Sequence, residues 1–282
     1  MTEFVPPIRR RNYGKGHGYV DANGQKMPGV TTILSKGVPK EALINWAANA
    51  TADYAVNKWD DLGSMEPAAR LKRLKDARYE ERDAAANRGT EIHGYGERLV
   101  KGEGVKGIPD ALRGYVEAYV RFLDEFDVEP VLVETVVASY KYGWAGTFDL
   151  LADLVDPTDT DGGRVRWLLD LKSNRSGIFG ETALQLAGYR YCDVYLDDKG
   201  AEQPMLEVAR TGAVHVRADG YSLIPTESGE RQLRQLRYCQ QVMKFGEESR
   251  DLIGAPIDPP TDPDAATARV VWSDQNAGVK SA

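Results

Sequence analysis

The sequence predicts a mixed α/β fold, one central sheet with helices on its faces, preceded by a largely helical N-terminal portion. Three observations predict it. Amphipathic stretches fill residues 40–126. Three apolar, β-branched runs then follow in succession at 131–139, 143–155 and 164–173. A helical stretch at 181–196 leads to two more extended runs, GAVHVR and YSLIPT. Helices, a three-strand meander, a helix and further strands fit a mixed sheet covered on both sides. The 282 residues and 42% hydrophobic content suit one large domain with a real core.

Residues 1–17 are polar, basic and proline-containing, and are expected to form a flexible arm carrying Arg9, Arg10, Arg11 and Lys15. YVDANGQKMPGVTTIL reads as a hairpin with Asn23-Gly24 at its turn. Apolar residues at helical spacing mark a helix over 40–58. Pro67 suits a first helical turn and opens a helix expected to run to about Ala86. RGTEIHGYGERLV reads as a second helical stretch, interrupted by Gly89, Gly94 and Gly96. Leu112, Tyr115, Tyr119 and Phe122 share one side of a helix over 109–126. DPTDTDGG is a turn between the second and third strands, and 229–247 is the last helix. The expected organisation is an arm (1–17), a single domain (18–253) and a flexible tail (254–282). The domain divides into a helical part (18–126), a sheet core (129–226) and the C-terminal helix.

Several function classes fall away. No run of roughly 18 apolar residues exists to cross a membrane. The first residues, MTEFVPPIRRRNYGKGHG, lack an apolar signal region, which predicts a cytoplasmic protein. Cys192 and Cys239 are too few for a four-thiolate zinc or iron–sulfur site and read as small buried apolar residues. The DPTDTDG run is not a calcium loop, because Pro157 and Leu168 occupy ligand positions. No phosphate-loop lysine motif or Gly-x-Ser-x-Gly elbow occurs. A net charge of −7 counts against simple electrostatic binding of DNA, though carboxylates that hold cations are compatible with a metal-dependent nuclease. A second basic group, Arg70, Lys72, Arg73, Lys75 and Arg78, reads equally well as solvated helix surface.

The candidate chemistry lies in the third strand. Residues two apart share a strand face, so Leu168, Asp170 and Lys172 project together. If the second and third strands pair antiparallel, Asp149 approaches Asp170. Two converging carboxylates repel, and a hard, oxygen-seeking divalent cation relieves that repulsion. Mg²⁺ is the natural choice, with Mn²⁺ able to substitute. Lys172 beside it can orient or deprotonate a water, or stabilise charge on a phosphate. An Asp-x-Lys tripeptide alone reads more readily as a surface ion pair.

Further motifs surround it. Gln185 and Tyr189 are four apart, on one face of the next helix. Upstream stand Pro28-Gly29-Val30-Thr31-Thr32-Ile33-Leu34, Arg88-Gly89-Thr90-Glu91-Ile92-His93 and Gly146-Thr147-Phe148-Asp149. With Leu169-Asp170-Leu171-Lys172-Ser173 and Gln-x-x-x-Tyr, this series resembles, in order, the RecB-family and phage exonuclease branch of the PD-(D/E)XK nucleases. The resemblance covers residues 27–196. It implies a restriction-endonuclease-like sheet and metal-dependent hydrolysis of DNA. It assigns Asp149, Asp170 and Lys172 to catalysis, with His93, Asp149, Asp170 and the Leu171 carbonyl as metal ligands. Gln185 and Tyr189 are expected to position the DNA or the lysine; Ser173 and Arg88 are candidates for contact with the DNA backbone, with a plain turn and an i,i+4 ion pair as equal readings. It implies an exonuclease of phage recombination, repair or replication, working in the cytoplasm of a host bacterium. A recombination or single-strand annealing protein would be its partner. An endonuclease, a non-catalytic DNA-binding relative and a metal-independent acid/base hydrolase are the alternatives. No iron–sulfur cluster is expected. Glu134 is assigned a structural or water-mediated role, and His17 and His215 structural ones. Tyr140, Tyr142 and Trp144 are candidates for stacking on an unpaired base.

Overall fold

Three consecutive strands form the meander: β4 (Glu129–Ser139), β5 (Trp144–Val155) and β6 (Arg164–Lys172), each antiparallel to the next. They are numbered after three short N-terminal strands, β1 (Arg9–Tyr13), β2 (Gly16–Val20) and β3 (Lys26–Met27). The computed structural model describes residues 8–13, 16–160 and 162–257. After β6 come β7 (Val194–Leu196), β8 (Glu202–Pro204), β9 (Arg210–Arg217) and β10 (Gly220–Pro225). The seven strands from β4 on make one sheet in the order β10-β9-β6-β5-β4-β7-β8. β6 and β9 run parallel, so the chain crosses between them by way of α6 (Glu181–Arg190) and the β7–β8 hairpin.

Strand β6 is buried on both faces, and for that reason its sequence is apolar almost throughout rather than alternating. Leu168 packs on one side against α1 (Val30–Gly37), α6 and α7 (Glu230–Glu248), through Ile33, Leu186 and Leu236. Leu169 and Leu171 pack on the other side against α4 (Pro67–Val100) and α5 (Asp110–Glu125), through Ile92, Tyr119 and Phe122. Each fully buried leucine contributes roughly 2 kcal/mol. The helices α2 (Glu41–Asn57) and α3 (Trp59–Gly63) precede α4, and α2 runs against it. Among the described residues, those from Glu247 onward belong to a separate unit, which contains a 3₁₀ turn at Ser249–Leu252.

Three features differ from the expectation. Arg9–Tyr13, expected as part of a flexible arm, is strand β1, because Ile8 and Tyr19 anchor the small sheet on Ala138 and Ala145. The stretches ending near Ala86 and beginning at Arg88 are one helix of 34 residues, Pro67–Val100. Its glycines do not interrupt it; a Cβ on Gly96 would stand 3.0 Å from Leu171 and 3.2 Å from Tyr119, so glycine there permits close packing. The edge strands β7 and β8 are three residues each, too short for an alternation pattern to show. Of the tail expected over 254–282, residues 258–282 lie outside the described residues.

Candidate active site at a fork between two strands

The ladder between β5 and β6 stops at Leu150–Leu169. In that register the next pair would be Asp149 opposite Asp170. Instead the strands part: β5 stays with β4 as far as Trp144–Ser139, and β6 stays with β9 as far as Lys172–His215. The two carboxylates therefore stand in a fork. The Leu171 N–H, without a partner on β5, donates to Asp149 Oδ2 at 2.7 Å. The alternation also slips here. Phe148 and Leu151, three apart, reach the same core, as do Leu132 and Val137, five apart. The slip on β4 coincides with Glu134, whose φ of 47° is left-handed and sterically costly for a residue with a Cβ.

Four elements supply the side chains. β5 brings Asp149, β6 brings Asp170 and Lys172, α4 brings His93, and β4 brings Glu134. His93 Nδ1 lies 3.5 Å from Asp149 Oδ2. One ligand-capable atom from each of His93, Glu134 and Asp149 falls within 4.8 Å of the others. Asp170 is buried; its Oδ1 accepts from Gln185 Nε2 at 2.8 Å, and its Oδ2 lies 2.7 Å from Lys172 Nζ. The Lys172 ammonium is thus the group that meets the buried Oδ2. Gln185 reaches the lysine as well, its Oε1 3.4 Å from Lys172 Nζ.

The electrostatics follow from this crowding. Burial raises the Glu134 carboxyl to about 7, helped by the Asp149 charge and opposed by His93. Burial raises Asp170 to about 6; Lys172 opposes this and Asp149 reinforces it. For His93, burial works against the charged form, but hydrogen bonding and attraction to Asp149, with Asp170 and Glu134 behind it, lift it to about 9. Burial likewise works against the Lys172 ammonium and is outweighed by Asp170, so its pKa is raised. The cluster thus holds more negative charge than its own cations neutralise, and protons take up the difference.

The residues singled out in the sequence are distributed as follows. Asp149, Asp170, Lys172, His93 and Gln185 converge. Leu171 enters the cluster through its N–H. Tyr189 is 2% exposed and lies over Gly146 with its hydroxyl 3.4 Å from Gln185, so it braces that glutamine from within the core. Ser173 faces α4, its Oγ 3.9 Å from the position of a Cβ on Gly89, next to the half-buried Arg88. His215 is buried and hydrogen-bonds the Asn174 carbonyl at 2.8 Å.

Other residues take up different tasks from those expected. Trp144 is fully buried and donates to the Gly188 carbonyl at 3.1 Å, which pins α6 to the sheet and removes its ring from any base. Tyr142 is stacked on Trp144. Arg70 holds the carbonyls of Leu62, Gly63 and Met65 and so closes the turn after α3. Arg73, exposed and paired with Glu80, keeps to the solvated helix surface expected of it. Glu134 was assigned at most contact through water, yet it stands among the potential ligands. Its signal lies in the hairpin. Pairing Ser139 with Trp144 across the Tyr140–Gly143 turn sets Glu134 opposite Asp149.

Comparison with protein-family models and with curated proteins finds no match to this chain.

Proposed function

We propose that this protein is a divalent-metal-dependent DNA nuclease of the PD-(D/E)XK type, with a restriction-endonuclease-like sheet, acting as an exonuclease. The observation that carries the reading is the fork: Asp149 and Asp170 stand where the ladder ends, His93 and Glu134 gather about Asp149, and Lys172 is paired with the buried Asp170. An oxygen-rich donor set with one imidazole suits Mg²⁺ or Mn²⁺. Asp149, Asp170, Glu134 and His93 would hold the cation, with the Leu171 carbonyl as the resemblance assigns it. Such a cation supplies positive charge at a phosphate oxygen and an acidified water.

The chain's own groups then have distinct tasks. Lys172 carries its proton at neutral pH, held by Asp170, and so offers an ammonium to charge developing on the phosphate. Gln185 binds Asp170 with its amide N–H and faces Lys172 with its amide oxygen, which orients both. Tyr189 and the Gly146 backbone fix Gln185 in turn. His93 must lose its proton to act as a ligand, so uptake of the cation releases protons. Action from DNA ends rests on the family resemblance.

The test uses end-labelled linear DNA and covalently closed circular DNA, with Mg²⁺ or Mn²⁺, for wild type and Lys172→Ala. Loss of the linear DNA alone, abolished by EDTA and slowed by about 10²–10³ in Lys172→Ala, is the expected result. Cleavage of the circle would make the protein an endonuclease with the same chemistry. Absence of both reactions from a folded protein would refute the nuclease assignment.

A further inference from the structure

Beside the fork is a cavity of about 340 Å³, with Lys172 and Gln185 among its lining residues. α1, the loop after β6 and the start of α6 make its remaining walls. Leu34, Ile178 and Phe179 give it apolar lining, and Thr31 and Ser35 supply hydroxyls. Lys40, paired with Glu181, adds a partly exposed cation. The volume is near the lower limit for ligand pockets, about 300 Å³, which is room for one nucleotide.

Phe179 is 52% exposed although it lines this cavity. Its loop is tied down at both ends. The Asn174 carbonyl is bound by His215 of β9, and the Phe179 carbonyl accepts from the Thr182 N–H of α6 at 3.0 Å. Asn174 also donates across the loop to the Gly177 carbonyl. A backbone held in this way loses little freedom when something flat lies on the ring that it carries. Aromatic side chains beside nucleic-acid channels bind unpaired bases through their π-faces.

Building on the nuclease reading, we propose that this cavity receives one unpaired nucleotide, its base stacked on Phe179 and its phosphodiester at Lys172. The substrate class is accordingly a DNA strand with at least one unpaired nucleotide at the point of cleavage. Phe179 is a binding residue that sets this preference, and a fully paired strand must open before it can be cut.

The experiment pairs a binding readout with a kinetic one. Oligonucleotides carry 2-aminopurine at the 5′ end, the 3′ end or an internal position. Fluorescence is followed with Ca²⁺ in place of Mg²⁺, and degradation is followed with Mg²⁺. The proteins are wild type, Phe179→Ala and Phe179→Trp, each checked for folding by circular dichroism. We expect quenching at one position in wild type, its loss in Phe179→Ala and its return in Phe179→Trp. KM for single-stranded DNA should rise about tenfold in Phe179→Ala, with kcat within about twofold. Cleavage by wild type with quenching and KM indifferent to Phe179 overturns the nucleotide site and leaves the nuclease reading standing. Phe179-dependent quenching without cleavage keeps the nucleotide site and refutes the nuclease reading. Absence of both overturns both.

Discussion

At the scale of single residues, the cluster is governed by carboxylates that hold protons in the folded chain. Asp170 and Glu134 titrate at about 6 and about 7, above the usual carboxylate range. Between about pH 4 and pH 7 the folded chain therefore binds more protons than the unfolded one, and stability falls as pH rises through that window. His93 acts in the same direction. Its contribution is fully present below 6.5 and is lost as pH rises through about 9. In EDTA, Tm should decline from about pH 5 to pH 9, and the decline should be shallower in Glu134→Gln. The gain in Tm on adding Mn²⁺ should grow over the same interval, because ligation competes with protons. A gain that shrinks with rising pH would contradict the ligand assignment. Glu134 permits a second prediction. Its left-handed φ of 47° suits glycine, and its carboxyl is costly where it stands. Glu134→Gly should therefore stabilise the metal-free protein by about 1 kcal/mol in urea unfolding while weakening Mn²⁺ binding.

At the scale of elements, helix α6 is pressed onto β5 through Gly146 and Trp144, and onto α1 and α7 through Gly188. A Cβ on Gly146 would stand 2.3 Å from the Tyr189 ring, and one on Gly188 would stand 2.7 Å from Leu236 and 2.9 Å from Val30. Gly146→Ala should displace Tyr189, and with it Gln185. A loss of roughly 1–3 kcal/mol in urea unfolding is expected, together with a larger fall in kcat than in the KM term. Unchanged stability would show that the ring can move aside without cost. The meander was readable because β4, β5 and β6 are long, and the turn at Asp156–Thr158 is closed locally by the Asp156 side chain. The unbroken α4 was not readable. Gly89 and Gly96 carry the same one-letter signal as a helix break, and only the neighbours Leu171 and Tyr119 show that Gly96 is there for packing.

At the scale of the whole molecule, the sheet order explains what the sequence could and could not reveal about the site. Asp149, Asp170 and Lys172 were accessible because alternation within two adjacent strands brings them together. Glu134 was less so, because its slip into left-handed backbone breaks the alternation on which the reading relies. The cavity beside Lys172 combines α1 with a loop and helix α6 that follow more than a hundred residues later, and no local pattern announces it. Among the described residues no helix is long and apolar enough to cross a membrane. The sheet order also fixes what breaking the crossover would do. β9 is parallel to β6 and reaches Asn174 through His215, so His215→Ala should loosen the loop carrying Phe179. Faster amide hydrogen exchange over 174–179, with little change in β4 and β5, is the expected result.

Helix α4 has one more consequence. Pro67 begins it and His93 sits 26 residues further on, about 39 Å along a rod without a joint. A loop would absorb a push on the outer end; a continuous helix passes it on as tilt. A push on the distant tip of this rod would reach the imidazole beside Asp149 as that tilt.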